Sequence, residues 1–242
     1  MSSPTRLQVL YFFVFLMAAN WCSAETQSDK IKLYFGIAEG NYLIRDLSGA
    51  ELALNQILRT DSQHIPSLRL LTRIQLEQGQ SQTAFETTQK LLLIDPDSPE
   101  DQLLHALVLG NLDRRKEGIQ ILNSLIERLP KDSKHYAAVT QMLGLFQMAE
   151  SNWDAAAETF YQRYQSLGNK VENLELATEA YTEKAKTALA QNDADAALKA
   201  IKQAIALYAN SSGTVALNRR RELRIMQAQI HVQAGNTNQA ID

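Results

Sequence analysis

The stretch "GQSQTAFETTQKLLLIDPDSP", residues 79–99, contains the pattern that decides the fold. Its small residue Ala84 is followed at four-residue steps by Thr88 and Leu92, and Pro96 comes shortly afterwards. Side chains four residues apart lie on one face of a helix, and proline cannot continue a helix. The stretch therefore predicts a helix that packs around a small side chain and ends before the proline.

The same pattern recurs along the chain. Segments similar to "GQSQTA" end in small residues at spacings of 34, 34, 38, 41 and 43, namely Ala50, Ala84, Gly118, Ala156, Ala197 and Ala240. A second small residue lies twelve positions before each of them, at Ala38, Thr72, Ala106, Gly144, Ala185 and Ala228. Because a small side chain in mid-helix lets a partner backbone approach closely, these positions predict a series of packed helix pairs.

The composition favours the same fold class. Apolar residues make up 45% of the 242 residues, and only 10 glycines and 5 prolines occur. Alternating runs of β-branched residues are missing, so an all-α protein is expected. A net charge of −3 disfavours binding to nucleic acid through phosphate neutralisation.

A helix–turn–helix unit of 34 residues, with small residues at its eighth and twentieth positions and proline near its thirty-second, resembles the tetratricopeptide repeat (TPR). The resemblance implies an all-α, right-handed α-solenoid of TPR-like repeats over residues 31–242, after a signal peptide (1–24) and a short linker (25–30). The expected units are 31–64, 65–98, 99–136, 137–177, 178–220 and an incomplete 221–242. Since the sixth unit is incomplete, we also expect that the native chain continues past Asp242.

In the TPR family the first helices of successive repeats line a groove that holds a peptide, mainly through the second, fifth, ninth, twelfth and thirteenth positions of each repeat. Carried over to this chain, the resemblance implies a peptide-binding groove that includes Phe35, Glu39, Tyr42, Arg69, Arg73, Leu76, Leu103, Leu107, Leu145 and Met148. For the three leucines at 103, 107 and 145, packing against neighbouring helices is an equal alternative. The two arginines, four residues apart, would suit a peptide with apolar anchors and a carboxylate.

The N-terminus has the three parts of a secretory signal peptide. Arg6 gives a positive start, an apolar run covers residues 9–19, and small residues precede a cleavage site after Ala24. The run is too short to span a bilayer, which needs about 20 residues. Cys22 is the only cysteine, so the mature chain would contain none. These features predict an exported protein, in the bacterial periplasm, that meets the membrane only through the signal peptide before cleavage.

No catalytic motif or metal-ligand cluster stands out in the sequence. Its four histidines are far apart in sequence, and His105 falls at a core-facing position of its helix. We therefore expect no enzymatic activity, no metal, no cofactor, no small-molecule substrate and no nucleic acid.

The leading functional hypothesis is a non-enzymatic scaffold that binds a peptide or protein partner in the cell envelope. The alternative is that the chain is the N-terminal TPR arm of a larger envelope protein, of the polysaccharide-secretion or pilus-assembly type. The activity or outer-membrane barrel of that protein would then lie beyond residue 242.

Overall fold

The computed structural model describes residues 27–169 and 171–236, and these residues form helices, turns and loops without any strand. The helices are α1 (27–43), α2 (Leu47–Thr60), α3 (Ile65–Glu77), α4 (Ser81–Ile94), α5 (Pro99–Asn111), α6 (Arg115–Arg128), α7 (Lys134–Ala149), α8 (Trp153–Ser166), α9 (Glu175–Ala190), α10 (Ala194–Ala206) and α11 (Thr214–Gln233). A short 3₁₀ helix, Val171–Leu174, precedes α9. The prediction of an all-α fold is confirmed. The signal peptide, its cleavage site after Ala24, and Ala240 lie outside the described residues.

The chain divides into two compact units, of which the first ends at Pro96 and the second begins at Asp97. The first unit contains α1–α4 and the second contains α5–α11. Within each unit, helices that are consecutive in the chain pack against each other, as α3 does with α4 and α9 with α10. This sequential pairing is the arrangement expected of helical repeats.

The small residues that recur in the sequence lie inside these helix pairs. Ten of the twelve are buried, namely Ala38, Ala50, Thr72, Ala84, Ala106, Gly118, Gly144, Ala156, Ala185 and Ala197, and Ala228 is half-buried. At Gly144 an added Cβ would lie 2.4 Å from the ring of Phe160, and at Gly118 it would lie 2.8 Å from the ring of Phe146. Aromatic rings therefore fill the space that these glycines leave.

The turns after the first helices share one backbone geometry. Each contains a residue with positive φ five positions before the recurring small residue, at Arg45, Gly79, Asp113, Ser151, Asn192 and Gly235. The N–H of the following residue bonds back to the carbonyl five residues earlier, as from Gln80 to Gln75 and from Asn152 to Gln147. This bond pattern is that of the Schellman motif, which satisfies the last free carbonyls of a helix.

The later repeats are longer because their first helices are longer and because a 3₁₀ helix is added before α9. Helices α7 and α9 have 16 residues each and α11 has 20, whereas α3 and α5 have 13. The extra length extends towards the N-terminal end, so the expected unit boundaries at residues 137, 178 and 221 fall inside α7, α9 and α11. These helices begin at Lys134, Glu175 and Thr214.

Candidate functional site

The structure distributes the ten groove residues over the first helices of four pairs. Phe35, Glu39 and Tyr42 lie on α1, Arg69, Arg73 and Leu76 on α3, Leu103 and Leu107 on α5, and Leu145 and Met148 on α7. Helices α1 and α3 belong to the first compact unit, and α5 and α7 to the second. The candidate site is therefore described as two faces, one in each unit.

In the first unit, Glu77 connects the end of α3 to the end of α1. The Tyr42 hydroxyl donates to Glu77 Oε1 at 2.5 Å, and the Arg45 guanidinium donates to Glu77 Oε2. Arg45 is the positive-φ residue of the turn after α1. Two donors from one helix end thus hold one carboxylate from the neighbouring first helix.

The charges around Tyr42 change its acidity. The hydrogen bond to Glu77 raises the pKa of the Tyr42 phenol, and partial burial and the negative charge of Glu77 act in the same direction. The positive charges of Arg45 and Arg73 oppose this rise in pKa. Arg73 is therefore close enough to act electrostatically on the same group as Arg45.

We call the set Tyr42, Arg45, Arg69, Arg73 and Glu77 the α1/α3 face. Arg69, which is half-buried, and Arg73, which is exposed, lie one turn apart on α3. Exposed Glu39 lies about one turn before Tyr42 on α1. With three arginines and two glutamates, the α1/α3 face together with Glu39 carries a formal charge of +1.

Two of the predicted groove residues of the first unit, Phe35 and Tyr42, pack against its core cluster. Phe35 is half-buried against the core cluster of α1, α2 and α3, and its ring meets that of His64 edge-on with centroids 5.7 Å apart. Leu76 is also half-buried. The Phe35 ring thus contributes to the interior of the first unit.

In the second unit, α5 and α7 are in contact, and Leu107 and Leu145 are exposed on them at 36% and 46% of their surface. We call these two leucines the α5/α7 face. Leu103 packs against the core cluster around Leu122 and Leu143, and Met148 packs against the cluster around Phe160. From the sequence, core packing and a place in the groove were equal alternatives for Leu103, Leu107 and Leu145. In the structure Leu103 is half-buried, whereas Leu107 and Leu145 are exposed.

Sequence reasoning did not single out Glu77 or Arg45. Glu77 is the thirteenth residue of the unit 65–98, and the thirteenth position is one that the TPR resemblance connects with the groove. Its repeat position could therefore have identified Glu77 as a groove residue. Arg45 lies in the turn beyond the helix, where a pattern of helix positions gives no indication.

The described part of the chain contains no group of three or more His, Cys, Asp or Glu side chains that could hold a metal ion. In the same residues, no helix combines the length and the apolar character needed to cross a bilayer. The polar residues of the α1/α3 face can form ion pairs and hydrogen bonds with a ligand that carries a carboxylate.

Comparisons with known proteins agree on the fold. A tetratricopeptide repeat protein from Parabacteroides merdae superimposes with a TM-score of 0.59 at 16% identity, over 88% of this chain and 77% of that one. PilW, a type IV pilus biogenesis factor, gives 0.54 at 15% identity over 87% and 89% of the two chains. YrrB, a TPR protein with an unusual peptide-binding site, gives 0.53 at 16% identity over 78% and 90%.

No protein-family model matches the sequence, and no curated protein matches it. At these identities the structural likeness shows the fold alone. The chain therefore has the all-α fold of tetratricopeptide repeat proteins, and the predicted fold class is confirmed.

Proposed function

We propose that this protein is a non-enzymatic scaffold of the bacterial cell envelope that binds a peptide or protein partner through the first helices of its repeats. The observation that carries the proposal is the α1/α3 face, on which Tyr42 and Arg45 donate to the Glu77 carboxylate and Arg73 acts electrostatically on Tyr42. Arginine guanidinium groups pair readily with carboxylates, and this face carries three of them.

The two faces favour different kinds of contact, and each is considered by itself. The positive balance of the α1/α3 face favours an acidic segment, and the exposed leucines of the α5/α7 face offer contacts for apolar side chains. The basic run at residues 218–224 is a weaker candidate for a ligand surface, because its Arg219 already pairs with Glu175 and Glu222.

Two observations support the type of partner and its compartment. YrrB, which shares the fold, is described as having a peptide-binding site, and PilW is described as a factor of pilus biogenesis. The signal-peptide pattern of residues 1–24 supports export to the periplasm. A TPR-like fold usually holds partners rather than performing catalysis, which supports a binding function.

The experiment is a selection of short random peptides on the immobilised full chain, followed by fluorescence anisotropy with the recovered peptides. We expect peptides that bind the α1/α3 face to be rich in Asp or Glu, and peptides that bind the α5/α7 face to be rich in Leu or Phe. Replacing Arg69 and Arg73 together by Glu should weaken binding roughly tenfold or more. Each charge-assisted hydrogen bond contributes about 1.5–3 kcal/mol, and 1.4 kcal/mol corresponds to a factor of ten.

A second variant tests the role of the internal carboxylate. In Glu77→Gln the Tyr42 and Arg45 donors lose their charged acceptor, so an acidic peptide should bind several-fold more tightly. Arg59→Glu, an exposed charge change on the second helix α2, serves as the matched control and should leave the affinity unchanged. Binding that is equally strong in the Arg69→Glu/Arg73→Glu variant, with helicity intact, would remove the site assignment.

A further inference from the structure

Helix α1 carries an apolar face on the side that points away from the protein. It packs against the first unit through Ile31, Phe35, Ala38 and Tyr42, which are spaced by four, three and four residues. The opposite side carries Leu33, Ile37, Gly40 and Ile44 with the same spacing. Leu33 is 63% exposed, Ile37 43% and Ile44 75%. We call these four residues the outer α1 face.

The outer α1 face is one continuous helical surface. The N–H of Ile44 bonds to the carbonyl of Gly40 at 3.2 Å, so Ile44 continues the turn of the helix. Residues spaced by four, three and four positions fall on one side of a helix with 3.6 residues per turn. A single helix thus shows one apolar side to its own unit and another to the exterior.

One glycine lies on this face and a second lies beside it, at positions where side chains would ordinarily stabilise the helix. Gly36 and Gly40 both lie within α1, and no atom lies within 4 Å of the place that a Cβ would occupy at either residue. Glycine disfavours a helix interior relative to alanine. The fold of the single chain does not require these glycines, but they would let another helix approach closely.

We propose that the outer α1 face is the contact between two copies of this chain, whose α1 helices cross antiparallel. The spacing of four, three and four reads the same in both directions, so a two-fold axis can place each position of one copy opposite a position of the other. In that pairing Leu33 of one copy lies opposite Ile44 of the other, and Ile37 lies over the open space at Gly40. Each large apolar side chain then meets either another apolar side chain or a gap that can receive it.

The charges at the ends of the face agree with this pairing. The register that places Leu33 opposite Ile44 directs the Lys30 end of one α1 towards the turn after the other α1, where Asp46 lies, and both residues are exposed. Asp46 also caps α2 through the Gly49 N–H, which keeps its carboxylate at that end of the face. A lipid surface would gain nothing from the gaps at Gly36 and Gly40. The chain's own apolar segment 9–19 would not account for the symmetric spacing.

The size of the contact indicates a weak dimer. The 17 helical residues of α1 span about 25 Å, and one such helix pair buries less than the roughly 800 Å² per partner of a standard stable interface. Dissociation in the micromolar range or weaker is therefore expected, and the oligomeric state must be followed over a wide concentration series.

The first test is sedimentation velocity on the full chain, purified in the form that the cell leaves it. The wild type should shift from monomer to dimer as its concentration rises. Ile37→Glu and Gly40→Leu should both stay monomeric with helicity intact, since Ile37 is exposed and no atom lies within 4 Å of the place of a Cβ at Gly40. Leu52→Glu removes another exposed leucine, 67% accessible on α2, and should leave the dimer unchanged.

The second test fixes the register. In a Cys22→Ser background, two differently tagged variants, Leu33→Cys and Ile44→Cys, are mixed and oxidised. The antiparallel contact predicts that the mixed disulfide exceeds both homodisulfides, whereas a predominance of 33–33 and 44–44 links would overturn it. A wild type that is monomeric at every concentration would also overturn the proposal. If the monomer then floated with phosphatidylglycerol vesicles, a lipid surface would be the occupant of the outer α1 face. If it did not float, the chain's own apolar segment 9–19 would be the remaining occupant.

Discussion

His105 is a titratable side chain enclosed in the core of the second unit. It lies on α5 between Leu104 and Ala106 and is 8% exposed. Burial lowers the pKa of its imidazole, and the positive charge of Arg114 lowers it further, while Glu117 acts in the opposite direction. The folded protein therefore favours the neutral ring.

Acid should for this reason weaken the fold through His105. The unfolded ring takes up a proton as the pH falls below about 6.5, whereas the folded ring resists protonation until its own lower pKa is reached. The stabilisation that His105 contributes is then fully present above about pH 6.5, and it is lost as the pH falls from there towards the lower pKa of the folded ring.

Urea unfolding between about pH 7.5 and about pH 5 should show a smaller pH dependence in His105→Leu than in the wild type. His135→Gln, on half-buried α7 surface, is the control, and equal slopes in His105→Leu and the wild type would contradict the assignment.

Single residues were only partly predictable from the sequence. The repeat register placed Tyr42 and Arg73 on first helices, because it depends on spacing alone. The packing of Phe35 was not accessible, since its edge-on contact is with His64, which lies in the turn before α3. The junction of Tyr42, Arg45 and Glu77 depends on how α1 and α3 meet in space, which no local pattern specifies.

Between elements, the closest approaches are made by glycines that face aromatic rings. Gly144 on α7 receives the ring of Phe160 from α8, and that ring is 1% exposed and enclosed on all sides. Gly110 and Gly118, on α5 and α6, both lie against the ring of Phe146 from α7. The glycines therefore set how closely these helices of the second unit pack.

Alanine substitutions at two mid-helix glycines should have opposite effects. Gly144→Ala would place a methyl group 2.4 Å from the Phe160 ring, and overpacking should destabilise the protein by about 1–2 kcal/mol net of the gain in helix propensity. Gly40→Ala enters open space and should stabilise it by about 0.5–1 kcal/mol. Chemical denaturation of both variants measures the two signs. A Gly144→Ala protein as stable as Gly40→Ala would mean that α7 and α8 do not pack as described.

The elements themselves were largely visible in the sequence, whereas their lengths were not. The turns recur at Arg45, Gly79, Asp113, Ser151, Asn192 and Gly235 with the same spacings as the small residues. Only two of these six residues are glycine, so the turns are recognised by position and not by residue type. The N-terminal extensions of α7, α9 and α11 precede the recurring residues, and a pattern anchored on those residues could not measure them.

At the scale of the whole molecule, the chain combines a widespread fold with a sequence far from its structural relatives. The buried small residues and the turns account for the fold, which the chain shares with its structural neighbours at 15–16% identity. Fold class was therefore predictable from the sequence, because it depends on buried positions with a fixed spacing. The proposed partner depends on exposed side chains, which that spacing does not specify.

The central claim is that the first helices, and not the second helices, contact the partner. It is tested most directly by photo-crosslinking in cells, with benzoylphenylalanine placed at Leu107 on α5 and Leu145 on α7. The controls are Leu52 on α2 and Leu93 on α4, which lie on second helices and are 67% and 83% exposed. We expect the crosslinker at Leu107 and at Leu145 to capture the same protein, whereas the crosslinker at Leu52 or Leu93 should capture none. Capture from Leu52 or Leu93, with none from Leu107 and Leu145, would contradict it.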